Sequence, residues 1–377
     1  MGKMQVKDLV PGMITTEPVK TQRGQLIINE GVPLTRQLIA RMEFYGIAEA
    51  SVVVVQTEPT EPVKAAPPSA SPVPPAEKPA VFAPELTYSQ KIRKSSSFQK
   101  FQVDYTNHVH KFYDYLKDFK ETGTLHYADE LVAIPKTLMQ ETRTSIQFFD
   151  MLHNLRQIDD SVYAHSLNVA MISRMLGRWL KLPSEELDTL TLAGALHDVG
   201  KFLIPEEVLN KEGKLTDEEF ALIKSHPLKG HDLLKKQQLN YHIKQAALMH
   251  HERCDGSGYP LGLTRDETDS YAMIIAIADV YDAMTAARKY RAPLCPFQVI
   301  AEFEKDGFSK YHPKYILTFL ERIANSYQSN RVLLNDGRSA TIIFLNQKHL
   351  SKPMVKLDDG TCIDLSCQPS LFIKAVL

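Results

Sequence analysis

The chain has 377 residues, a formal net charge of −1, 44% hydrophobic and 24% charged residues. That is ordinary globular usage. It excludes wholesale disorder and a fibrous repeat, and the balanced charge leaves no overall footprint for a nucleic acid polymer or an anionic membrane. The length points to two or three domains at about 100 to 200 residues each.

No apolar run approaches the roughly 20 residues of a bilayer span. The start, Met1 to Val10, lacks the apolar core of a signal peptide, and Val6 stands where a myristoylation signal needs Ser or Thr, so a cytoplasmic protein is expected. Cys254, Cys295, Cys362 and Cys367 form no CxxC and no paired framework. Any metal should therefore be bound by nitrogen and oxygen.

Residues 1–56 read as a small α+β unit. Extended runs at Met13 to Val19 and Leu26 to Asn29 alternate with turn signals at Pro11-Gly12 and Gly24, and Ser51 to Val55 is β-branched. One helix is expected from Thr35, carrying Leu38, Ile39, Met42 and Tyr45, with Gly46 as its stop. Residues 57–86 read as a linker: nine of the chain's 22 prolines lie between Pro59 and Pro84. A polyproline-like stretch of that length reaches roughly 80 Å.

Residues 87–144 turn helical, as a regulatory or connecting region. Val109, Phe112, Leu116 and Phe119 form a stripe that fits either a bundle interior or the seam of a homodimer. Residues 145–330 continue as an all-α domain, with Thr216 to Glu219 a capping box. Residues 331–377 read as a small β appendage, because Asn335-Asp-Gly337 and Asp358-Asp-Gly360 interrupt β-branched runs. The fold class is mainly α, with small β-containing units at the two ends.

Eight of the 13 histidines fall between residues 150 and 260. Placement matters more than number. His197-Asp198 follows the apolar run Leu190 to Leu196, His250-His251 follows Ala246 to Met249, and Asp279 sits inside Met273 to Val280. Apolar helices are carrying polar groups into a core, where each unsatisfied one costs about 1 to 3 kcal/mol. Neutral imidazoles and ionised carboxylates are satisfied together by divalent metals. Adjacent residues on a helix diverge by about 100°, so two doublets suit two metals better than one. His165, His197, Asp198, His226, His250, His251 and Asp279 are the expected ligands, with Asp198 as the bridge. Lys201, four residues after His197, is placed to neutralise charge on a phosphate if the helix continues. Phosphodiester hydrolysis is the reaction that suits such a centre. His153, His231 and His242 read as surface or packing residues.

His197-Asp-Val-Gly-Lys201 and His250-His-Glu-Arg-Cys-Asp-Gly-Ser-Gly-Tyr-Pro260 resemble the signatures of the HD-GYP family, the branch of HD phosphohydrolases that hydrolyses cyclic di-GMP. The likeness extends in order through Tyr163 to Val169, His226 to Gly230, Ile277 to Ala283 and Arg288 to Arg291, over roughly residues 145–330. Val6 to Met13 looks like a small domain often found before it.

The resemblance implies a helical HD-type bundle and a metal-dependent phosphodiesterase giving pGpG, with or without a second cut to GMP; the alternatives are a catalytically weak cyclic di-GMP receptor or scaffold and an HD phosphohydrolase of another nucleotide. It puts the metal ligands on the same seven residues. It makes Asp198 and Lys201 catalytic and Lys201, Arg288 and Arg291 phosphate contacts. The loop Gly258-Tyr259-Pro260 would pack structurally or meet a partner such as a diguanylate cyclase. Two divalent ions, iron or manganese, are expected. A third is not favoured, because Ser161 stands where some relatives carry Glu. Asp255 and Asp282 read either as acceptors orienting ligand histidines or as turn formers, and Cys254 stands where relatives often have an aromatic residue.

Overall fold

The structure is a computed structural model that describes residues 2–10, 12–20, 26–28, 30–32, 34, 38, 39, 42, 47–53, 92, 94–142, 144–155, 162–211, 213–286 and 294–377. Two compact units divide it, Met1–Ala80 and Val81–Leu377. The linker at 57–86, the helix start at Thr35 and stop at Gly46, Ser161, Arg288 and Arg291 lie outside the described residues.

In the first unit β1 (Gly2–Gln5), β2 (Ile14–Thr15) and β5 (Glu49–Val53) form an antiparallel sheet in the order β1-β5-β2. The strands β3 (Val19–Lys20) and β4 (Leu26–Ile28) pair separately. The expected single run from Met13 to Val19 is thus two strands in two sheets, and β1 was not foreseen. Gly12 has φ 99°, a left-handed value that suits glycine, and its N–H donates to Leu34 O. Val6, Leu9, Met13, Val19, Ile28, Leu34, Met42, Ala50 and Val52 make this unit's own core.

The second unit opens with three helices, α1 (Ser96–Thr122), α2 (Ala128–Gln140) and α3 (Ser145–Leu155). Along α1, Phe98, Phe101, Tyr105, Val109, Phe112, Leu116 and Phe119 are all buried. The stripe that sequence leaves open between interior and dimer seam is therefore interior. Ser95 caps α1 by accepting from the Phe98 N–H, and Gly123 at φ 70° ends it.

Then come α4 (Val162–Trp179), α5 (Ser184–Leu196), a 3-10 turn (Val199–Leu203), α6 (Glu206–Leu209), α7 (Asp217–Lys224), α8 (His226–Leu234), α9 (Tyr241–Met249), α10 (Ser270–Thr285), α11 (Pro296–Lys310) and α12 (Pro313–Ser326). The capping box at the start of α7 is present, with both reciprocal bonds between Thr216 and Glu219. Close approach matters in two places. A methyl on Gly194 of α5 would lie 2.9 Å from Ala170 Cα of α4, and one on Gly200 would strike His226 O and come within 2.5 Å of Gly230 N. Glycine lets these backbones touch.

The chain ends in a five-stranded antiparallel sheet of β6 (Arg331–Leu334), β7 (Ser339–Phe344), β8 (Met354–Leu357), β9 (Cys362–Asp364) and β10 (Ile373–Val376), in the order β10-β6-β7-β8-β9. Gly337 and Gly360, at φ 90° and 91°, serve the two hairpins. One hydrophobic cluster runs from Phe98 through the helices to Ile373. Among the described residues, no helix is long and apolar enough to cross a membrane.

Candidate metal centre

The site is built from helix ends. His197 closes α5 with helical angles, and Asp198 leaves the helix at φ −104°, ψ 9°. His250 stands in the same place after α9, and His226 follows the cap residue Ser225 of α7. The last carbonyls of a helix lack partners within it. Here the imidazoles supply them: Nδ1 of His197 donates to Gly194 O and Nδ1 of His226 to Ile223 O, both at 2.7 Å, while Nδ1 of His250 lies 3.1 Å from the carbonyls of Ala246 and Ala247. A proton held on Nδ1 leaves a lone pair on Nε2. Three helix ends thereby aim three acceptors at one space.

His165 is held differently. It lies within α4 and donates from Nδ1 to Asp282 Oδ2 at 2.7 Å, a carboxylate–histidine pair of the kind that orients metal ligands.

Asp198, 2% exposed, divides the cluster. Its Oδ2 lies 3.3 Å from His197 Nε2 and 3.6 Å from His165 Nε2, and its Oδ1 lies 3.2 Å from His226 Nε2 and 3.7 Å from His250 Nε2. Asp279 Oδ1 is 3.2 Å from His165 Nε2, and its Oδ2 is 3.9 Å from His251 Nδ1. The donor atoms fall into two sets, His165, His197 and Asp279 in one, Asp198, His226, His250 and His251 in the other, each within 4.8 Å.

This donor set fits divalent cations. Nε2 of His226 and Nε2 of His250 are 3.2 Å apart, and the bonds at Nδ1 make both lone pairs. The buried Nε2 of His197 and Oδ1 of Asp198 have no hydrogen-bond partner among the described residues. Acceptors crowded in a dry site without donors are costly, and a cation in each set removes that cost. The donors are all nitrogen and oxygen, which suits first-row metals.

Electrostatics run the same way. Burial alone would raise the Asp198 carboxyl, but Lys201 and then His197 outweigh it and hold it well below the usual range. Asp279 is lowered too, burial being overcome by His165 and His251. Burial pushes His250 down to about 4 and also lowers His165 and His251. In His197 burial is outweighed by Asp198, and the shift is upward. Both carboxylates are thus ionised, and three imidazoles are kept neutral, as ligands must be.

The helix of His197 does not continue to Lys201. The chain enters the 3-10 turn instead, and Lys201 Nζ lies 2.5 Å from Asp198 Oδ2, so this lysine is bound to the Asp198 carboxylate. Asp282 proves to be the partner of His165, whereas Asp255 accepts from Ser257 N–H and Oγ–H within a local turn. Cys254 Sγ contacts Met273 Sδ at 3.9 Å.

In the signature loop, Tyr259 stacks on His251 with ring centroids 4.6 Å apart and planes at 25°. Gly258 passes so close to the main chain that a methyl would come within 2.5 Å of Arg253 N. Two contributors escaped the sequence reading. Glu252, 3% exposed, accepts from Leu261 N–H at 2.7 Å and Leu263 N–H at 3.0 Å, and so closes the loop. Lys224 places its ammonium 5.0 Å from the centre of the Tyr259 ring.

The HD domain family model matches residues 131–315, a range that includes all seven expected ligands. Over 236 residues the chain is 33% identical to a protein of Pseudomonas aeruginosa named as a cyclic di-GMP phosphodiesterase, covering 62% of this chain and 56% of that one. A Thermotoga maritima protein with the same activity in its name is 32% identical over 51% of this chain and 56% of its own length. A Vibrio cholerae protein named as a 3'3'-cGAMP-specific phosphodiesterase is 38% identical over 42% of this chain and 31% of its own length. The chain thus spans about half the length, or less, of these curated relatives.

Proposed function

The chain carries an HD domain over residues 131–315, and from that premise we propose that it hydrolyses cyclic di-GMP to linear pGpG, with GMP the product where a second cut follows, lowering the messenger. One observation carries this reading: the two oxygens of Asp198 face two separate donor sets, His165 and His197 on one side, His226 and His250 on the other. When bound, one divalent cation in each set, iron or manganese, would supply Lewis acidity toward a phosphate oxygen and acidify water for attack.

The remaining work belongs to the chain's own groups. The helix-end carbonyls keep protons on Nδ1 and leave Nε2 free to bind. Asp282 fixes the tautomer of His165. Lys201, held against Asp198, keeps positive charge beside the place where a phosphate's negative charge would grow. Tyr259 covers His251 on one face and limits water there. Arg288 and Arg291 remain phosphate contacts in this reading, and the loop Gly258 to Pro260 a docking point for another signalling protein.

The test is turnover. Full-length protein reconstituted with ferrous iron or manganese is offered cyclic di-GMP, and the products are separated by chromatography. Release of pGpG, abolished by Asp198→Asn, is expected. No turnover with either metal would overturn the reading, and binding without cleavage would make the protein a receptor. The 38% identity to the cGAMP-specific relative supports including 3'3'-cGAMP, and faster cleavage of that dinucleotide would reassign the substrate.

A further inference from the structure

Lys224 is the last residue of α7, two positions before His226. Its side chain is half-buried, yet among the described residues its ammonium lies near no carboxylate. It sits instead over two rings, 4.9 Å from the centre of Phe220 and 5.0 Å from that of Tyr259. Tyr259 in turn lies flat on His251, whose ring is 5.0 Å from that of His226. Through the Tyr259 ring the cation is thus joined to the donor set of His226, His250 and His251.

Other lysines differ. Lys201 is bound to Asp198, Lys211 to Glu219 and Lys136 to Asp188. A cation–π contact holds an ammonium in place but leaves its N–H donors to water or an anion. A lysine of this kind at the edge of a phosphodiesterase site is a preset anion contact.

A cyclic dinucleotide carries two phosphodiesters. When one lies at the metal centre, the other is still charged and must be met elsewhere on the protein. We propose that Lys224 binds the second, uncleaved phosphate of the cyclic dinucleotide, and so helps the site select a substrate with two phosphodiesters over one with a single phosphodiester. The inference rests on the reading of the site given above. Its charge-assisted contact is formed equally in the ground state and the transition state, so it acts on substrate affinity and leaves the chemical step unchanged.

The experiment uses manganese-loaded full-length protein, with Lys224→Met to keep the aliphatic stem against the rings and Lys224→Arg to keep the charge. Affinity for cyclic di-GMP is read by calorimetry, and kcat and KM are read for cyclic di-GMP and for bis(p-nitrophenyl) phosphate, which has one phosphodiester. Lys224→Met should weaken cyclic di-GMP binding and raise its KM about tenfold or more, as expected for loss of one charge-assisted contact, with kcat held. KM for bis(p-nitrophenyl) phosphate should not move, and Lys224→Arg should restore cyclic di-GMP affinity. Unchanged cyclic di-GMP affinity in Lys224→Met overturns the proposal, as does an equal loss for both substrates, which would make Lys224 only a support for Tyr259. Wild-type protein that binds cyclic di-GMP through Lys224 without cleaving it would sink the hydrolase reading and leave this contact standing. Wild-type protein that binds none overturns both.

Discussion

Asp282 Oδ2 accepts a hydrogen bond from His165 Nδ1 at 2.7 Å, joining α10 to α4 on the side of the ring away from the nitrogen that faces Asp198 and Asp279. Asp282 is 2% exposed, and it lies three residues after Asp279 on the same helix, so one helix contributes both a member of the His/Asp cluster and the group that orients His165. Asp282→Asn offers its amide in place of a carboxylate and weakens the basicity of the imidazole. Affinity for manganese should fall about 10- to 100-fold, as is usual for such partners. Titration of metal-free protein followed by calorimetry checks this; an unchanged affinity would separate Asp282 from metal binding.

Metal loading should also stabilise the protein. Only the folded chain assembles the two donor sets, so each site held at a hundredfold excess of metal over its Kd adds about 2.7 kcal/mol. Urea unfolding of metal-free and manganese-loaded protein should show a clear rise in midpoint with metal, and Asp198→Asn should lose most of that rise.

Gly258 supplies a third prediction. A methyl there collides with the backbone of Glu252 and Arg253, so Gly258→Ala must displace the loop that sets Tyr259 on His251. Overpacking of this kind costs about 1 to 3 kcal/mol. Because the loop is peripheral to the main core, the loss should appear more strongly in KM for cyclic di-GMP than in the unfolding midpoint. Kinetics beside urea denaturation decide it, and a variant with wild-type KM would mean the loop is indifferent to its own path.

The pH response of stability can be followed at Asp188. Burial pushes its carboxyl up, but hydrogen bonds from Lys136 at 3.0 Å and Arg174 at 2.7 Å outweigh that and lower it. A carboxyl lowered on folding contributes stability that is complete above its unfolded value, about 3.9, and is lost as pH falls through the folded value. Between about pH 5 and pH 3 the wild-type urea midpoint should therefore drop more steeply than that of Asp188→Asn. Parallel curves would remove this pair from the acid response.

Sequence made the His/Asp cluster readable because burial leaves a local trace: an apolar helix that ends in His or His-Asp has few ways to satisfy them. His197 and His250 follow that logic, and His226, which follows a helix with no buried residue, shares only its outcome: each of the three returns its Nδ1 proton to a carbonyl three or four residues back. What escaped depends on distant partners. Asp255 and Asp282 look alike in sequence, but one closes a turn two residues on and the other meets a histidine 117 residues away. Glu252 binds N–H groups nine and eleven residues ahead, a spacing that belongs to neither helix nor strand. The strand β1 was hidden for the same reason, because Gly2 to Gln5 pair with Val52 to Glu49 across the whole first unit.

The abutting main chains of Gly200 and Gly230 have a mechanical consequence. With no side chain between them, nothing can rotate to absorb sliding, so the segment bearing Asp198 and the helix that begins at His226 travel together. The stretch from Glu252 to Leu263 is joined differently, by hydrogen bonds rather than by touching backbones: the Glu252 carboxylate accepts from Leu261 and Leu263 N–H, and Tyr259 N–H donates to His251 O.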